Sequence, residues 1–221
     1  MKKLIRIALD GPSGSGKSTI AKKLSKELDI LYLDTGAMYR ATAMKAIKLG
    51  IDSFDANGVD TFINDIDLEI KYIDGAQHTY LDGEDVSDKI REPHVSMAAS
   101  NISSLKNVRL KMVDMQRKIA SGTSCVLDGR DIGSYVLPDA DFKFYITASV
   151  EERATRRFKE LVAKGHQVDY EALKDEIEQR EYNDKHRDFS PLKKADDAIE
   201  IDTTKMSIDE VCQTVLDYVN K

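Results

Sequence analysis

Short apolar runs alternate with longer segments of helical periodicity along most of this chain. The apolar runs, rich in β-branched residues, predict five strands, at residues 4–9, 30–33, 124–127, 142–146 and 198–201. Apolar positions repeating every three or four residues predict helices at residues 19–28, 37–49, 93–121, 151–187 and 207–219. Parallel strands need crossover connections, so this alternation predicts a three-layer α/β/α fold with a five-stranded parallel sheet and ligands at the carboxyl ends of its strands.

Two segments depart from this rhythm. Residues 67–85 show strict alternation broken by Asp74-Gly75, which predicts a small β hairpin insertion. Residues 151–187 predict two charged helices around Gly165, a pattern that suits a mobile lid closing over reactants and excluding water. We therefore predict a single domain over residues 1–221, with a core at about 1–36, 105–150 and 188–221, an insertion at about 37–104 and a lid at about 151–187.

Composition and charge narrow the class of protein. The chain has 221 residues, 41% hydrophobic and 33% charged, with a net charge of -6, so it predicts an ordinary globular protein. The acidic balance argues against a nucleic-acid partner, which would need a dominant basic face. The sequence has no apolar stretch of the ~20 residues that span a bilayer. We expect no membrane partner, a cytoplasmic location and a monomer. The four histidines and two cysteines show no metal-ligand spacing, so no structural metal is predicted.

A glycine-rich loop follows the first predicted strand. Residues 11–18 match the phosphate-loop pattern G-x-x-x-x-G-K-[ST] and lie between a strand and a helix, as that motif requires. Backbone N–H groups of such a loop surround phosphate, Lys17 reaches the β- and γ-phosphates of ATP, and the Ser18 hydroxyl ligates Mg²⁺. The predicted nucleotide-binding set is Gly11, Pro12, Ser13, Gly14, Ser15, Gly16, Lys17, Ser18 and Thr19. The loop alone leaves open a kinase, a GTP-operated switch and an ATP-driven motor.

Arginines at predicted strand ends and in the charged helices favour a kinase. Transfer to an anionic phosphate needs cations that gather mutually repelling groups, and arginine binds phosphate in a bidentate manner. The candidates are Arg40, Arg130, Arg153, Arg156, Arg157, Arg180 and Arg187. Arg180, Asp184 and Arg187 share one helix face, where they could grip a ligand or form only an Arg180–Asp184 ion pair. Spacing does not decide between these alternatives.

Several segments together resemble bacterial cytidylate kinases from end to end. They are the phosphate loop, Leu33-Asp-Thr-Gly-Ala-Met-Tyr-Arg40, Leu81-Asp-Gly-Glu-Asp-Val-Ser87 with Ile90-Arg91, Asp128-Gly-Arg-Asp131 and the segment 180–187. The resemblance implies transfer of the γ-phosphoryl group of ATP, with Mg²⁺, to CMP and also to dCMP. It also implies that the β-containing insertion is the nucleoside-monophosphate-binding region.

The same resemblance implies roles for individual residues. Ser100, Arg109 and Asp131 would read the cytosine edge, and Arg40, Arg130 and Arg187 would hold the acceptor phosphate. Arg180 and Asp184 would contact the sugar, with Thr35, a position where the family often has serine, beside the acceptor. Lid arginines Arg153 and Arg157 would face the donor phosphates, and of Arg153, Arg156 and Arg157 the last is ranked first. Lys17, Arg130, Arg157 and Arg187 would be the catalytic residues.

The sequence argues against three functions other than that of a cytidylate kinase. Another small-molecule kinase, for adenylate or shikimate, would share the loop and lid, but the insertion and the cytosine-reading set argue against it. A GTP-operated switch would need a guanine-reading Asn-Lys-x-Asp type segment, which the sequence lacks. An RNA-binding regulator is disfavoured by the acidic charge and the absence of an aromatic-rich basic face.

Overall fold

The computed structural model describes residues 4–220 of the chain, so the ends of the predicted 1–221 domain lie outside the described residues. The strands are β1 Arg6–Asp10, β2 Leu31–Asp34, β3 Leu68–Ile73, β4 Ala76–Leu81, β5 Glu84–Asp85, β6 Cys125–Gly129, β7 Phe142–Thr147 and β8 Ile199–Asp202. The helices are α1 Lys17–Leu28, α2 Thr35–Lys48, α3 Ala56–Asp60, α4 Pro93–Ile102, α5 Lys106–Ala120, α6 Val150–Ala163, α7 Tyr170–His186 and α8 Ile208–Val219. A 3₁₀ turn at Lys89–Arg91 and a π-helical turn at Ile132–Val136 complete the elements.

The main sheet has five strands in the order β2-β6-β1-β7-β8, which confirms the predicted α/β class with a parallel sheet flanked by helices. The register pairs Leu9 with Asp128 and Asp10 with Gly129, so β1 and β6 end at the same edge. The chain leaves β1 into the glycine-rich loop and leaves β6 into the 128–131 segment. Two predicted site segments therefore meet at the carboxyl ends of neighbouring strands, where ligands bind in such sheets.

Apolar side chains of the central strands form the core that fixes this edge. Ile7 and Leu9 of β1 are fully buried in one cluster with Ile20 of α1, Phe144 of β7 and Val211 of α8. The N-terminus of α8 is anchored, because a capping box between Ser207 and Glu210 satisfies its first N–H groups. Burial of side chains this large contributes about 1.5–3 kcal/mol each, so the loop after β1 starts from a rigid base.

The chain divides into two compact units, residues 33–121 and residues 4–32 with 122–220. The 33–121 unit contains the antiparallel sheet β3-β4-β5, whose predicted hairpin turn at Asp74-Gly75 is confirmed with both residues at positive φ. It also contains α5, which we had placed in the core segment at about 105–150. The boundaries of core and insertion remain a prediction.

The helical segment predicted at 93–121 contains two helices, α4 and α5, with a break between them. The hydroxyl of Ser103 donates to the carbonyl of Ser100 at 2.8 Å, and that of Ser104 donates to Asn101 at 2.6 Å. Such local side-chain bonds compete with the helical ladder and favour its ending. The short helix α3 and the π-helical turn were not predicted.

The segment predicted as a lid is a pair of helices with a small core of its own. Ala154 and Leu161 of α6 pack with Leu173 and Ile177 of α7. Gly165, at φ 84°, lies in the connection between the two helices, where left-handed backbone favours glycine. Within residues 4–220, no helix is long and apolar enough to cross a membrane.

Candidate active site

The glycine-rich loop runs from the end of β1 to the start of α1 and lies close against β7. A Cβ atom at Gly11 would lie 2.0 Å from the backbone oxygen of Ile146, so only glycine fits there. Gly16 precedes α1 in the left-handed region at φ 92°, and no side chain caps that helix. The first backbone N–H groups of α1 thus have no capping side chain among the described residues, an arrangement that suits phosphate binding.

Lys17 is the first residue of α1 and is buried. Its ammonium donates to the carbonyl of Pro12 at 2.6 Å and lies 3.2 Å from the hydroxyl of Ser15. Burial, with repulsion from Arg130, lowers the pKa of Lys17 to about 7. A bound phosphate would favour the charged ammonium again, so this lysine is poised to respond to a nucleotide.

A carboxylate at the end of β6 holds the hydroxyl predicted to ligate magnesium. The hydroxyl of Ser18 donates to Oδ2 of Asp128 at 2.7 Å, while the phenol of Tyr32 donates to Oδ1 at 3.0 Å. Both Asp128 and Tyr32 are buried. The sequence analysis gave Asp128 no role, although an acidic residue ending an apolar strand behind a phosphate loop is where such proteins hold Mg²⁺.

These oxygen donors fit magnesium, since Mg²⁺ prefers hard oxygen ligands and is usually bound by one or two protein groups plus substrate phosphates. In the described part of the chain, no three side chains among His, Cys, Asp and Glu are grouped to hold a metal ion by themselves. A magnesium ion at this site would share its coordination between protein oxygens and the phosphates of a nucleotide.

Asp10 supports the segment that carries Arg130 and Asp131. Its two carboxylate oxygens accept hydrogen bonds from the backbone N–H groups of Ile132 and Gly133, at 2.7 and 2.8 Å. Burial raises the pKa of Asp10 to about 7 in spite of these bonds. The last residue of β1 thus fixes the start of the π-helical turn.

The structure brings Arg130, Asp184 and Arg187 together. Nε of Arg130 donates to Asp184 at 2.8 Å, and a terminal nitrogen of Arg187 lies 3.6 Å from the other Asp184 oxygen. Burial alone would raise the pKa of Asp184, but the charges of Arg130 and Arg187 outweigh it and hold the pKa below its usual value. Burial alone would lower the pKa of Arg130, and Asp184 reverses that effect. Arg130 and Asp184 therefore both remain charged near neutral pH.

Asp131 and Arg180 flank this cluster. Asp131 accepts a 2.6 Å hydrogen bond from the hydroxyl of Ser190, whose carbonyl accepts from Arg187 at 2.7 Å. Arg180 pairs with Glu176 at 3.7 Å, and the Arg180–Asp184 ion pair considered from spacing does not form in the described structure. Burial and repulsion from Arg130 lower the pKa of Arg180, with Arg157 adding to the repulsion. Arg130 and Arg180 are therefore close enough to repel each other.

The three lid arginines have different partners. Arg153, which is fully buried, donates to the carbonyls of Ala148 and Ser13 and pairs with Glu181. Arg156 donates to the hydroxyl and the carbonyl of Thr203 and lies 3.4 Å from the carbonyl of Ser15.

Arg157 pairs with Glu160 at 2.8 Å, one helical turn away on the same helix. Arg153 and Arg156 are thus held against the phosphate loop, whereas Arg157 is held only by its own helix. Its predicted donor-facing role stays a prediction.

In the 33–121 unit, the candidate residues form two groups. Arg40 donates to the buried carboxylate of Asp34 at 2.9 Å, and Asp34 also caps α2 through the N–H of Ala37. Thr35, which follows Asp34, is buried.

The second group joins Ser100 to Arg109 through Ser103. The carbonyl of Ser103 accepts from Arg109 at 3.3 Å, and its hydroxyl bonds to the carbonyl of Ser100 at 2.8 Å. Arg109 is almost completely buried, with its guanidinium 5.4 Å from the ring centre of Tyr39. A buried guanidinium is not the solvated helix charge that spacing alone would have favoured.

The glycine-rich loop, the Asp128 carboxylate and the grouped arginines together define the class of protein. It is a phosphate-loop phosphotransferase. Comparison with known proteins agrees with this class. The family model described as cytidylate kinase matches residues 7–221. Proteins named cytidylate kinase from Caldicellulosiruptor bescii and Halalkalibacterium halodurans are 51% and 48% identical, each over all of this chain and over 97% and 99% of their own lengths. The chain belongs to the cytidylate kinase family and is an ATP-dependent phosphotransferase.

Solved structures give the fold alone. An uncharacterized protein from Eubacterium ventriosum superposes with a TM-score of 0.55 at 15% identity, covering 99% of both chains. A shikimate kinase from Bacteroides thetaiotaomicron superposes with a TM-score of 0.51 at 11% identity, covering 99% of this chain and 100% of that one. Both likenesses agree with the α/β fold described above.

Proposed function

We propose that this protein transfers the γ-phosphoryl group of ATP to CMP, and also to dCMP, giving the diphosphate and ADP. The observation that carries the proposal is the full-length match to proteins named cytidylate kinase. The geometry agrees with phosphoryl transfer, because catalysis of this step is mostly positioning and charge stabilisation by cations. Lys17, Arg130, Arg157 and Arg187 are the proposed catalytic residues.

The donor is ATP with Mg²⁺. We assign its phosphates to the loop from Gly11 to Thr19, with Ser18 as a magnesium ligand and Arg157 approaching when the lid closes. The Ser18–Asp128 hydrogen bond supports this assignment, since it holds the hydroxyl next to a carboxylate that can bind the ion directly or through water. When bound, the ion would neutralise charge that develops on the transferred phosphoryl group.

The acceptor roles follow from the family pattern. Arg40, Arg130 and Arg187 hold its phosphate, Thr35 lies beside it, and Arg180 and Asp184 contact its sugar. The hydrogen bond between Arg130 and Asp184 supports the assignments of these two residues, because it orders both groups before substrate arrives.

Ser100, Arg109 and Asp131 are proposed to read the cytosine edge. This edge offers donors and acceptors, so a serine hydroxyl, a guanidinium and a carboxylate can distinguish it from uracil. The hydroxyl oxygen of Ser100 is buried and has no hydrogen-bond partner among the described residues, which supports a ligand-binding role. The proposal includes a cytoplasmic monomer that acts on small nucleotides.

The test is an acceptor panel with purified protein. ADP release from ATP-Mg²⁺ is followed with CMP, dCMP, UMP, AMP, GMP or shikimate in separate reactions, alongside a reaction without acceptor. High kcat/KM for CMP and dCMP, with weak turnover of the rest, supports the proposal. Preference for AMP or shikimate would replace the cytosine assignment, and ADP release independent of acceptor would point to an ATPase.

A further inference from the structure

Two arginines of the 33–121 unit share one carboxylate oxygen. Oδ2 of Asp34 accepts from Arg40 at 2.9 Å and from Arg91 at 3.5 Å, while Oδ1 is used by the N–H of Ala37 at 2.9 Å. The carboxylate is buried and carries one negative charge against two positive ones. Burial alone would raise the pKa of Asp34, but Arg40 and Arg91 outweigh it and keep the pKa low. The cluster therefore holds a net positive charge.

Most donors of these two arginines are not used inside the protein. A guanidinium has five N–H groups, and within residues 4–220 the side chains of Arg40 and Arg91 make one hydrogen bond each, both to Asp34. Nε of Arg40 is buried and has no hydrogen-bond partner among the described residues. An unsatisfied buried donor on a charged group is costly unless a ligand completes it.

The backbone around Arg91 is held in place, although its side chain is half exposed. Ile90, which precedes it in the 3₁₀ turn, is almost completely buried, and Pro93 starts α4 two residues later. The backbone of Asp34 is fixed in turn by Gln77, whose amide oxygen accepts from its N–H at 2.7 Å and whose amide nitrogen donates to its carbonyl at 3.3 Å. The β3–β4 hairpin, through Gln77, and the 3₁₀ turn before Arg91 thus keep Arg40 and Arg91 beside the Asp34 carboxylate.

We propose that Arg91 is a further binding residue for the acceptor phosphate, and that Arg40 and Arg91 bind one phosphate monoester dianion while Asp34 keeps them in position. The inference rests on the proposed function for the identity of the ligand. Two planar guanidinium groups with unused N–H donors match a dianion with three terminal oxygens. The predicted insertion at about 37–104 thus contributes Arg91, in addition to Arg40, to the acceptor site.

The experiment compares Arg91→Ala and Arg91→Lys with Lys45→Ala. Lys45 of α2 forms an ion pair with Asp82 beside β4, so its loss weakens the attachment of the hairpin without touching the Asp34 cluster. Isothermal titration measures the Kd of CMP and of cytidine, which has the same base and sugar but no phosphate. Thermal unfolding of each variant reports on structural damage.

We expect Arg91→Ala to weaken CMP binding by about 10- to 100-fold and to leave cytidine binding unchanged. Arg91→Lys should recover part of the loss, because it keeps the charge without the planar fork, and Lys45→Ala should leave both Kd values unchanged. Unchanged CMP binding in Arg91→Ala would overturn the inference. An equal loss for CMP and cytidine would also overturn it, since Arg91 would then act only on structure.

A second probe separates this inference from the proposed function. With the phosphate loop filled by ADP and Mg²⁺, inorganic phosphate should raise the unfolding temperature of the wild type more than that of Arg91→Ala. That result supports the two-arginine site even if CMP is not the substrate. Equal protection of both proteins would contradict it, whatever the acceptor panel shows.

Discussion

The hydroxyl of Ser18 and the carboxylate of Asp128 are joined by a 2.7 Å hydrogen bond, although 110 residues separate them in the chain. The pairing of β1 with β6 creates this contact, since it sets the phosphate loop beside the end of β6. Tyr32 of β2 donates a hydrogen bond to the other carboxylate oxygen. Residues of β6 and β2 therefore orient Ser18, the predicted magnesium ligand.

Replacing this carboxylate tests the assignment of the metal site. Asp128→Asn keeps the size of the side chain but turns one acceptor into a donor. We expect the Mg²⁺ concentration for half-maximal activity to rise about 10- to 100-fold, as for other residues that orient metal ligands. Direct titration of Mn²⁺ into the ADP complex should show the same weakening. Asp197→Asn, which alters an ion pair between exposed Asp197 and buried Lys143, is the matched control. Equal metal requirements for both variants would refute the assignment.

Arg130 is the second target, because it is paired with buried Asp184. Arg130→Lys retains the charge but cannot keep the same planar geometry toward Asp184 and a phosphate. We expect kcat to fall about 100-fold or more at saturating ATP and CMP, with a smaller change in the KM for ATP. Arg6→Lys changes another arginine that pairs with an aspartate, Asp139, outside the site. Similar kcat values for both variants would show that Arg130 does not act on the transferred group.

The pH dependence of nucleotide binding follows from Lys17. Its pKa is lowered to about 7 in the free protein, so the ammonium is largely neutral at pH 8. Nucleotide phosphates favour the charged form, which means that binding takes up protons and that affinity falls as pH rises through about 7. Titrating ADP at pH 8 in two buffers with different ionisation enthalpies should give two different apparent enthalpies.

The control for this titration is Lys17→Arg, whose guanidinium stays charged in both states. Its apparent enthalpy should depend far less on the buffer. If the wild type itself shows one enthalpy in both buffers, Lys17 is already charged in the free protein and the proposed linkage is wrong.

The α6–α7 pair gives a prediction about motion. Its small apolar core and the glycine connection suit a unit that can move as a body. Adding a non-hydrolysable ATP analogue and CMP together should slow hydrogen exchange in residues 150–187, with β1 and β6 as internal references. Exchange as slow as that of the sheet before ligand addition, and unchanged after it, would rule out a mobile lid.

Local patterns predicted much of this fold and of the donor site. The glycine-rich loop carries its function within eight consecutive residues, and each predicted strand of the main sheet lies within two residues of an observed one. Partners distant in sequence were harder to predict. Nothing near Asp128 indicates that Tyr32 and Ser18 will both donate to it, because that contact depends on strand order.

The partners of charged residues on helices were equally hard to predict from local sequence. Spacing alone allowed Arg180 to pair with Asp184, yet Asp184 accepts a hydrogen bond from Arg130, which directly follows β6. Arg153 and Arg157 look equivalent in sequence, but Arg153 is buried against Ser13 and Arg157 pairs on its own helix. Arg109 would pass for a surface charge until its burial is known. Only the family resemblance indicated that it has a role.

The most direct test of the account is to follow the transferred group itself. Protein, Mg²⁺, CMP and ATP labelled at the γ-phosphate are incubated, and the labelled products are separated and quantified. The account predicts label in the β-phosphate of CDP, formed one for one with ADP and dependent on CMP. Label appearing only in inorganic phosphate, at a rate indifferent to CMP, would contradict it.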